Sequence, residues 1–145
     1  MRVTKHTDYA LRVLVFLAAR PGERVSTQAV AEAYGISTNH LHKVVRALGE
    51  LGHVRLFRGA SGGVELARDP DEISVGAVVR ALDDDASLVE CFKSETDLCV
   101  ISPACSLKGA LRDAQEAFYR TLDPTTIGEI VAGRRAARLR SLTGS

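Results

Sequence analysis

"STQAVAEAYGISTNHLHKVVRALGELGHVRLFRGASGGVELA", Ser26 to Ala67, holds two short helical patterns, a tight turn and two strand-like runs, in that order. Ser26 is placed to accept a hydrogen bond from an unpaired amide at the start of a helix through about Tyr34. Ser37 does the same for a helix to about Leu51, where Gly52 can end it. Two short helices joined by the Gly-containing turn "YGIS" form the helix-turn-helix pattern. "HVRLFRGASGGVELAR" then gives strands at His53 to Arg58 and Val64 to Ala67 around a Gly-rich tip, which is a wing. The expected fold is therefore mainly α with a small β-hairpin wing, a winged helix-turn-helix.

Working outward, Thr7 or Asp8 can cap a first helix to about Arg20, with Leu11, Leu14, Val15 and Ala18 on one face. Beyond the wing, Ser74 caps a helix to about Leu82, followed by the acidic run Asp83 to Asp85 and a loop with every cysteine of the chain. Ser102-Pro103 has the form of an N-cap with Pro at the first helical position, and predicts a helix to about Leu122. Its apolar residues Leu107, Leu111, Ala114, Phe118 and Leu122 make a seam. Periodicity suits packing on a second chain or on the chain's own core equally. Asp123-Pro124 starts a short helix to about Ala132, and the Arg-rich end "GRRAARLRSLTGS" reads as frayed. The chain thus divides into residues 1–70, with the winged helix-turn-helix, and residues 71–145, with the cysteine loop (about 86–106) and the long helix.

The net charge is only +1, but its distribution is uneven. Residues 1–68 hold ten Lys/Arg and five Asp/Glu, residues 69–105 two and nine, and residues 106–145 seven and four. A basic N-terminal half suits a polyanion partner. "LVFLAAR" resembles the apolar part of a signal peptide, yet Asp8 and Arg12 interrupt its approach and Arg20-Pro21-Gly22 ends it far short of a span. A cytoplasmic protein with no membrane partner is expected, in which clustered cysteines stay thiols.

In a helix-turn-helix the second helix enters the major groove N-terminus first. Here Ser37, Thr38, Asn39, His40, His42 and Lys43 occupy those positions, with Arg46 one turn on and Arg55 and Arg58 beside the wing tip, where Arg suits a narrow minor groove. A double-stranded DNA operator is the expected partner. No G-x-S-x-G, no P-loop and no acid/base pair in an identifiable pocket points to catalysis, so no enzyme is expected.

Cys91, Cys99 and Cys105 are separated by seven and five residues. This spacing matches neither the close pairs of zinc fingers nor the redox C-x-x-C, and suits a bulky iron-sulfur cluster approached from several directions. Cys105 would lie in the first turn of its helix, where free amides favour thiolate. Zinc held by the three cysteines and His6, and three incidental thiols, remain alternatives.

"MRVTKHTDYALR", "YGISTNHLHKVVRALGELGHV", "RGASGGVELA" and "LVECFKSETDLCVISPACSLKGAL" together resemble the Rrf-two-type iron-sulfur repressors over nearly the whole chain. The likeness is greatest to the nitric-oxide-sensing members. That resemblance implies a homodimer joined by the long helix and a cluster, [4Fe-4S] with [2Fe-2S] as the alternative. It also implies release of operator DNA when nitric oxide attacks the cluster. Regulators of cluster assembly in the family complete the site with a histidine three residues after the last cysteine; here that residue is Lys108. Thr7-Asp8-Tyr9 instead resembles the nitric-oxide sensors, which implies Asp8 from the partner subunit as fourth ligand to a metal centre held by Cys91, Cys99 and Cys105. Pattern alone makes Asp8 a helix cap. Ala60-Ser61 stand where relatives often have a basic residue and Asn, which implies weaker contacts at the wing tip. A sensor of iron or cluster status is the alternative function within the same fold.

Overall fold

The computed structural model describes residues 3–83 and 87–144. Seven helices occur there, α1 (Lys5–Ala18), α2 (Thr27–Tyr34), α3 (Thr38–Glu50), α4 (Val75–Leu82), α5 (Ser106–Leu122), α6 (Ile127–Val131) and α7 (Arg134–Thr143). One antiparallel hairpin joins β1 (Val54–Phe57) and β2 (Gly63–Leu66). Asp84, Asp85 and Ala86, which belong to the predicted acidic run and loop, lie outside the described residues.

α1 is the central element, because its apolar residues repeat at helical spacing on more than one face. Val13, Leu14 and Leu17 are buried against α3, α4, α6 and α7. α3 contributes Leu41, Val44, Val45 and Leu48 to the same core. Each such side chain contributes about 1.5–3 kcal/mol on leaving water, which fixes the inner face of α3 and leaves its polar face outward. Ser26 and Ser37 cap α2 and α3 as expected, through the amides of Ala29 and His40. Between them Gly35 has φ +63°, a left-handed conformation that sharpens the turn. The wing has Val54 opposite Leu66 and Phe57 opposite Gly63, and Val25 pairs with Val64 as a short third edge.

Four local expectations need correction. α1 is capped by Thr4, whose hydroxyl accepts the Thr7 amide at 3.1 Å, and neither Thr7 nor Asp8 caps it. The helix starts earlier because the buried Asp83 accepts hydrogen bonds from the hydroxyls of Thr7 at 2.5 Å and Thr4 at 3.2 Å. Ser102-Pro103 opens only a short 3₁₀ turn; Cys105 is the N-cap of α5, one step outside the predicted first turn. α6 starts at Thr126 with a capping box to Glu129 rather than at Asp123-Pro124. The Arg-rich end is the helix α7, not a frayed tail. Buried Arg20 lies 3.7 Å from the centre of the Phe16 ring and donates to Thr143 Oγ1 and the Gly144 carbonyl, while Arg140 donates to the Ala19 carbonyl. These bonds span more than a hundred residues, beyond any local pattern.

α4 is fastened to the end of α5. Ser74 Oγ donates to the Asp123 carbonyl at 2.8 Å, and Arg80 bridges Glu116 and Asp123 while lying 4.6 Å over Tyr119. Gly76 permits this approach: a Cβ there would stand 2.6 Å from the Asp123 amide nitrogen and 2.7 Å from its Cα. Because backbone cannot swing aside as a flexible side chain can, Gly76→Ala is expected to destabilise the fold by about 1–3 kcal/mol. Gly109→Ala, where a Cβ meets nothing within 4 Å, is expected to be neutral or stabilising. Urea denaturation midpoints of the two variants check this.

Candidate nucleic-acid interface and cysteine loop

The buried apolar stripe of α3 turns Asn39, His42, Lys43 and Arg46 to solvent, with Ser37 at the exposed cap and Thr38 and His40 half-buried. An open cleft of about 1090 Å³ separates this face from the wing; Thr38, His42 and Arg46 line one wall and Phe57, Arg58 and Gly59 the other. Ser26, Thr27 and Gln28 also line it. The sequence marks Ser26 only as a helix cap and gives Thr27 and Gln28 no role, although the first helix of a helix-turn-helix crosses the DNA backbone and its polar N-terminus is a usable signal. Arg24 was not legible at all, because its work is tertiary. Its guanidinium lies 3.4 Å from the centre of the Phe57 ring and 3.7 Å from Glu65, pinning the wing to the segment before α2.

Two of the predicted DNA-contacting cations already have partners. Arg46 pairs with Glu50 at 3.1 Å and Arg55 with Glu65 at 3.2 Å. Exposed pairs of this kind contribute about 0–1 kcal/mol, so a phosphate can compete for either guanidinium. His40 stands edge-on to Tyr9, ring centres 5.0 Å apart, which ties the start of α3 to α1. Below the wing, burial and the charge of Arg68 lower the pKa of His53, whose Nδ1 has no hydrogen-bond partner.

Asp8 projects from the N-terminal turn of α1 and receives two hydrogen bonds from Arg12, Nε to Oδ1 at 3.1 Å and Nη2 to Oδ2 at 2.8 Å. The hydrogen bond to Asp8 raises the pKa of Arg12. The Arg12 guanidinium also lies 5.7 Å and 5.8 Å from the rings of Tyr9 and Tyr34, and Tyr34 donates its hydroxyl to the Arg12 carbonyl. Asp8, Arg12, Tyr9 and His40 thus form a continuous line from the start of α1 to the start of α3.

The cysteines are free thiols on one loop. Cys91 sits in the 3₁₀ turn Glu90–Phe92, Cys99 is exposed, and the Sγ of Cys105 accepts the Lys108 amide at 3.4 Å. Asp97, between the first two cysteines, accepts hydrogen bonds from Ser102 and Lys108, which lower its pKa. Among the described residues no three His, Cys, Asp or Glu side chains converge on a common metal position. Within one chain neither the three cysteines alone nor the cysteines with Asp8 or His6 form such a group. The donor chemistry nevertheless fits an iron-sulfur cluster: three soft sulfur ligands, none in a disulfide, one of them at the N-terminus of a long helix.

No helix among the described residues is long and apolar enough to cross a membrane. The Rrf2 profile, described as "Iron-dependent Transcriptional regulator", matches residues 3–133. The chain is 49% identical over 135 residues to the HTH-type transcriptional regulator NsrR of Bacillus subtilis, covering 92% of each. It is 46% identical over 143 residues to NsrR of Geobacillus kaustophilus, covering 98% of this chain and 96% of that one. Among solved structures, CymR, the global cysteine regulator of B. subtilis, superposes with a TM-score of 0.67 at 27% identity, over 91% of this chain and 97% of that one. IscR of T. potens superposes with a TM-score of 0.69 at 25% identity, over 90% and 86%. A shared winged-helix architecture and a profile that runs through both the recognition helix and the cysteine loop lead to one assignment: the chain belongs to the Rrf2 family of transcriptional regulators.

Proposed function

We propose that this regulator is a homodimeric repressor that holds operator DNA while an iron-sulfur cluster is bound and releases it in response to nitric oxide. The observation that carries the proposal is the set of three free cysteines on the loop that leads into α5. The NsrR relatives support it. Residues 1–70 would contact DNA through the cleft face, and residues 71–145 would hold the cluster and the dimer contact.

Cys91, Cys99 and Cys105 would bind as thiolates. When present, the cluster, [4Fe-4S] on the resemblance, supplies a site open to a small diatomic ligand. Asp8 of the partner subunit would complete the site, which the absence of a histidine at Lys108 leaves one donor short. A carboxylate is harder and more exchangeable than a thiolate, and its two oxygens can hold Arg12 and a metal together. Arg12 would orient it, and the line through Tyr9 to His40 gives Asp8 a mechanical route to the recognition helix. A second copy is favoured by α5, in which Tyr119 alone is buried among seventeen residues and Leu107 is 64% exposed. In the cysteine loop Leu98 and Val100 are likewise 90% and 93% exposed.

The test uses anaerobically purified protein and a palindromic operator selected from random duplex DNA. Nitric oxide is expected to release the operator, while an iron chelator leaves it bound over the same interval. Release by chelator alone would favour sensing of iron status, the reading that the family's description as iron-dependent supports. Asp8→Ser separates the ligand role from any structural one. Thr4 already caps α1, so the substitution is expected to change stability by less than about 0.5 kcal/mol yet alter the visible spectrum and the rate of reaction with nitric oxide. A wild-type spectrum with wild-type reactivity would remove Asp8 from the site.

A further inference from the structure

The segment from Asp97 to Lys108 is held almost without apolar burial. Leu98, Val100 and Ile101 are 90%, 93% and 61% exposed, whereas the charged side chains of Asp97 and Lys108 are only 16% and 21% exposed. This inverts the usual preference of a surface loop, and polar contacts account for it. Lys108 Nζ donates to Asp97 Oδ2 at 3.0 Å and to Ser102 Oγ at 2.7 Å. Ser102 Oγ in turn donates to Asp97, and Asp97 Oδ1 accepts the Cys99 amide at 3.2 Å. The backbone amide of Lys108 meanwhile donates to Cys105 Sγ. One residue therefore touches the Cys105 sulfur with its amide and, through Asp97, the Cys99 backbone with its ammonium.

We propose that Lys108, acting through Asp97 and Ser102, is a positioning residue that sets the Cys99–Cys105 arm of the loop before any metal arrives. The proposal rests on the cluster-binding reading above. Ordering a loop costs conformational entropy, and a clamp made by the protein's own side chains removes that cost from binding. The Cys91 arm is held separately: Thr96 Oγ1 donates to the Glu90 carbonyl at 2.8 Å, and Arg112 lies 5.4 Å over Phe92. α5 thus meets both arms, with Lys108 on one and Arg112, a turn later, on the other.

Lys108→Met keeps the length of the side chain and removes the ammonium; Asp97→Asn removes the charge that receives it. Two readouts are taken on each variant and on the double variant. In metal-free full-length protein, hydrogen exchange of residues 97–105 is expected to quicken in Lys108→Met and Asp97→Asn, with no further change in the double variant because both cut one connection. In anaerobically loaded protein, loss of iron to a chelator is expected to quicken by about 10- to 100-fold, the usual range for groups that orient metal ligands. Unchanged exchange overturns the clamp. Faster exchange with unchanged iron loss overturns its role in cluster positioning. A wild-type protein that binds no iron-sulfur cluster overturns the cluster-binding reading instead, and the exchange measurement on metal-free protein still decides the clamp.

Discussion

Replacing Cys91, Cys99 or Cys105 by Ala is expected to abolish the iron and acid-labile sulfide of anaerobically purified protein, together with its visible colour. Each variant leaves two thiolates, and neither the water nor the nearby hydroxyls of an exposed loop replace a soft anionic donor. The fold should survive, because none of the three cysteines contributes to the apolar core. Cys91→Ala and Cys99→Ala are expected to change stability by less than about 0.5 kcal/mol. Cys105→Ala differs, since the Cys105 sulfur caps α5, and its loss should cost about 0.5–2 kcal/mol. Cys105→Ser then becomes the informative control. Serine restores a cap acceptor and so should recover stability without recovering the cluster. A colourless wild-type protein carrying stoichiometric zinc would overturn the assignment of iron.

The parts legible in the sequence are those built from neighbours along the chain. Ser26 and Ser37 cap within three residues, Gly35 turns the chain between them, and the strands of the wing lie a few residues apart. The misjudged parts depend on distant partners. Thr4 precedes Thr7 as the cap because Asp83 anchors both hydroxyls from the far side of the core. The Arg-rich tail becomes α7 because Arg20 donates to Thr143 and Gly144 at its end while Arg140 donates to the Ala19 carbonyl beyond α1. Ser102-Pro103 carries a sound local signal for a helix start, yet the chain makes a 3₁₀ turn and restarts at Cys105. Asp97 and Lys108 draw Ser102 Oγ into their own network, while the cap of α5 passes to a sulfur. For the candidate site, the sequence offers residue types but not their convergence: among the described residues no three His, Cys, Asp or Glu side chains of one chain gather at a metal position.

Lys43→Ala is expected to weaken operator binding by about 1–3 kcal/mol, roughly 5- to 150-fold, and to reduce the slope of log K against log salt by about one. Lys43 lies on the outward face of α3, one residue before the buried pair Val44 and Val45, so the core fixes its direction toward the groove. The same removal at Arg46 should cost less. In free protein that guanidinium is engaged by Glu50 at 3.1 Å, and binding must exchange this pair for a phosphate. Glu50→Gln offers the converse: by freeing Arg46 and deleting a repelling charge beside the cleft, it is expected to strengthen binding, and the gain should vanish in an Arg46→Ala background. Arg58, exposed at the wing tip, should contribute more where the flanking minor groove is narrow, so Arg58→Ala is expected to lose affinity chiefly for A·T-rich flanks. Titrations at two salt concentrations, with operators differing only in the flanks, measure all four variants together. Wild-type affinity and salt slope in both Lys43→Ala and Arg46→Ala would mean that α3 does not face the DNA, whatever the shape of the cleft.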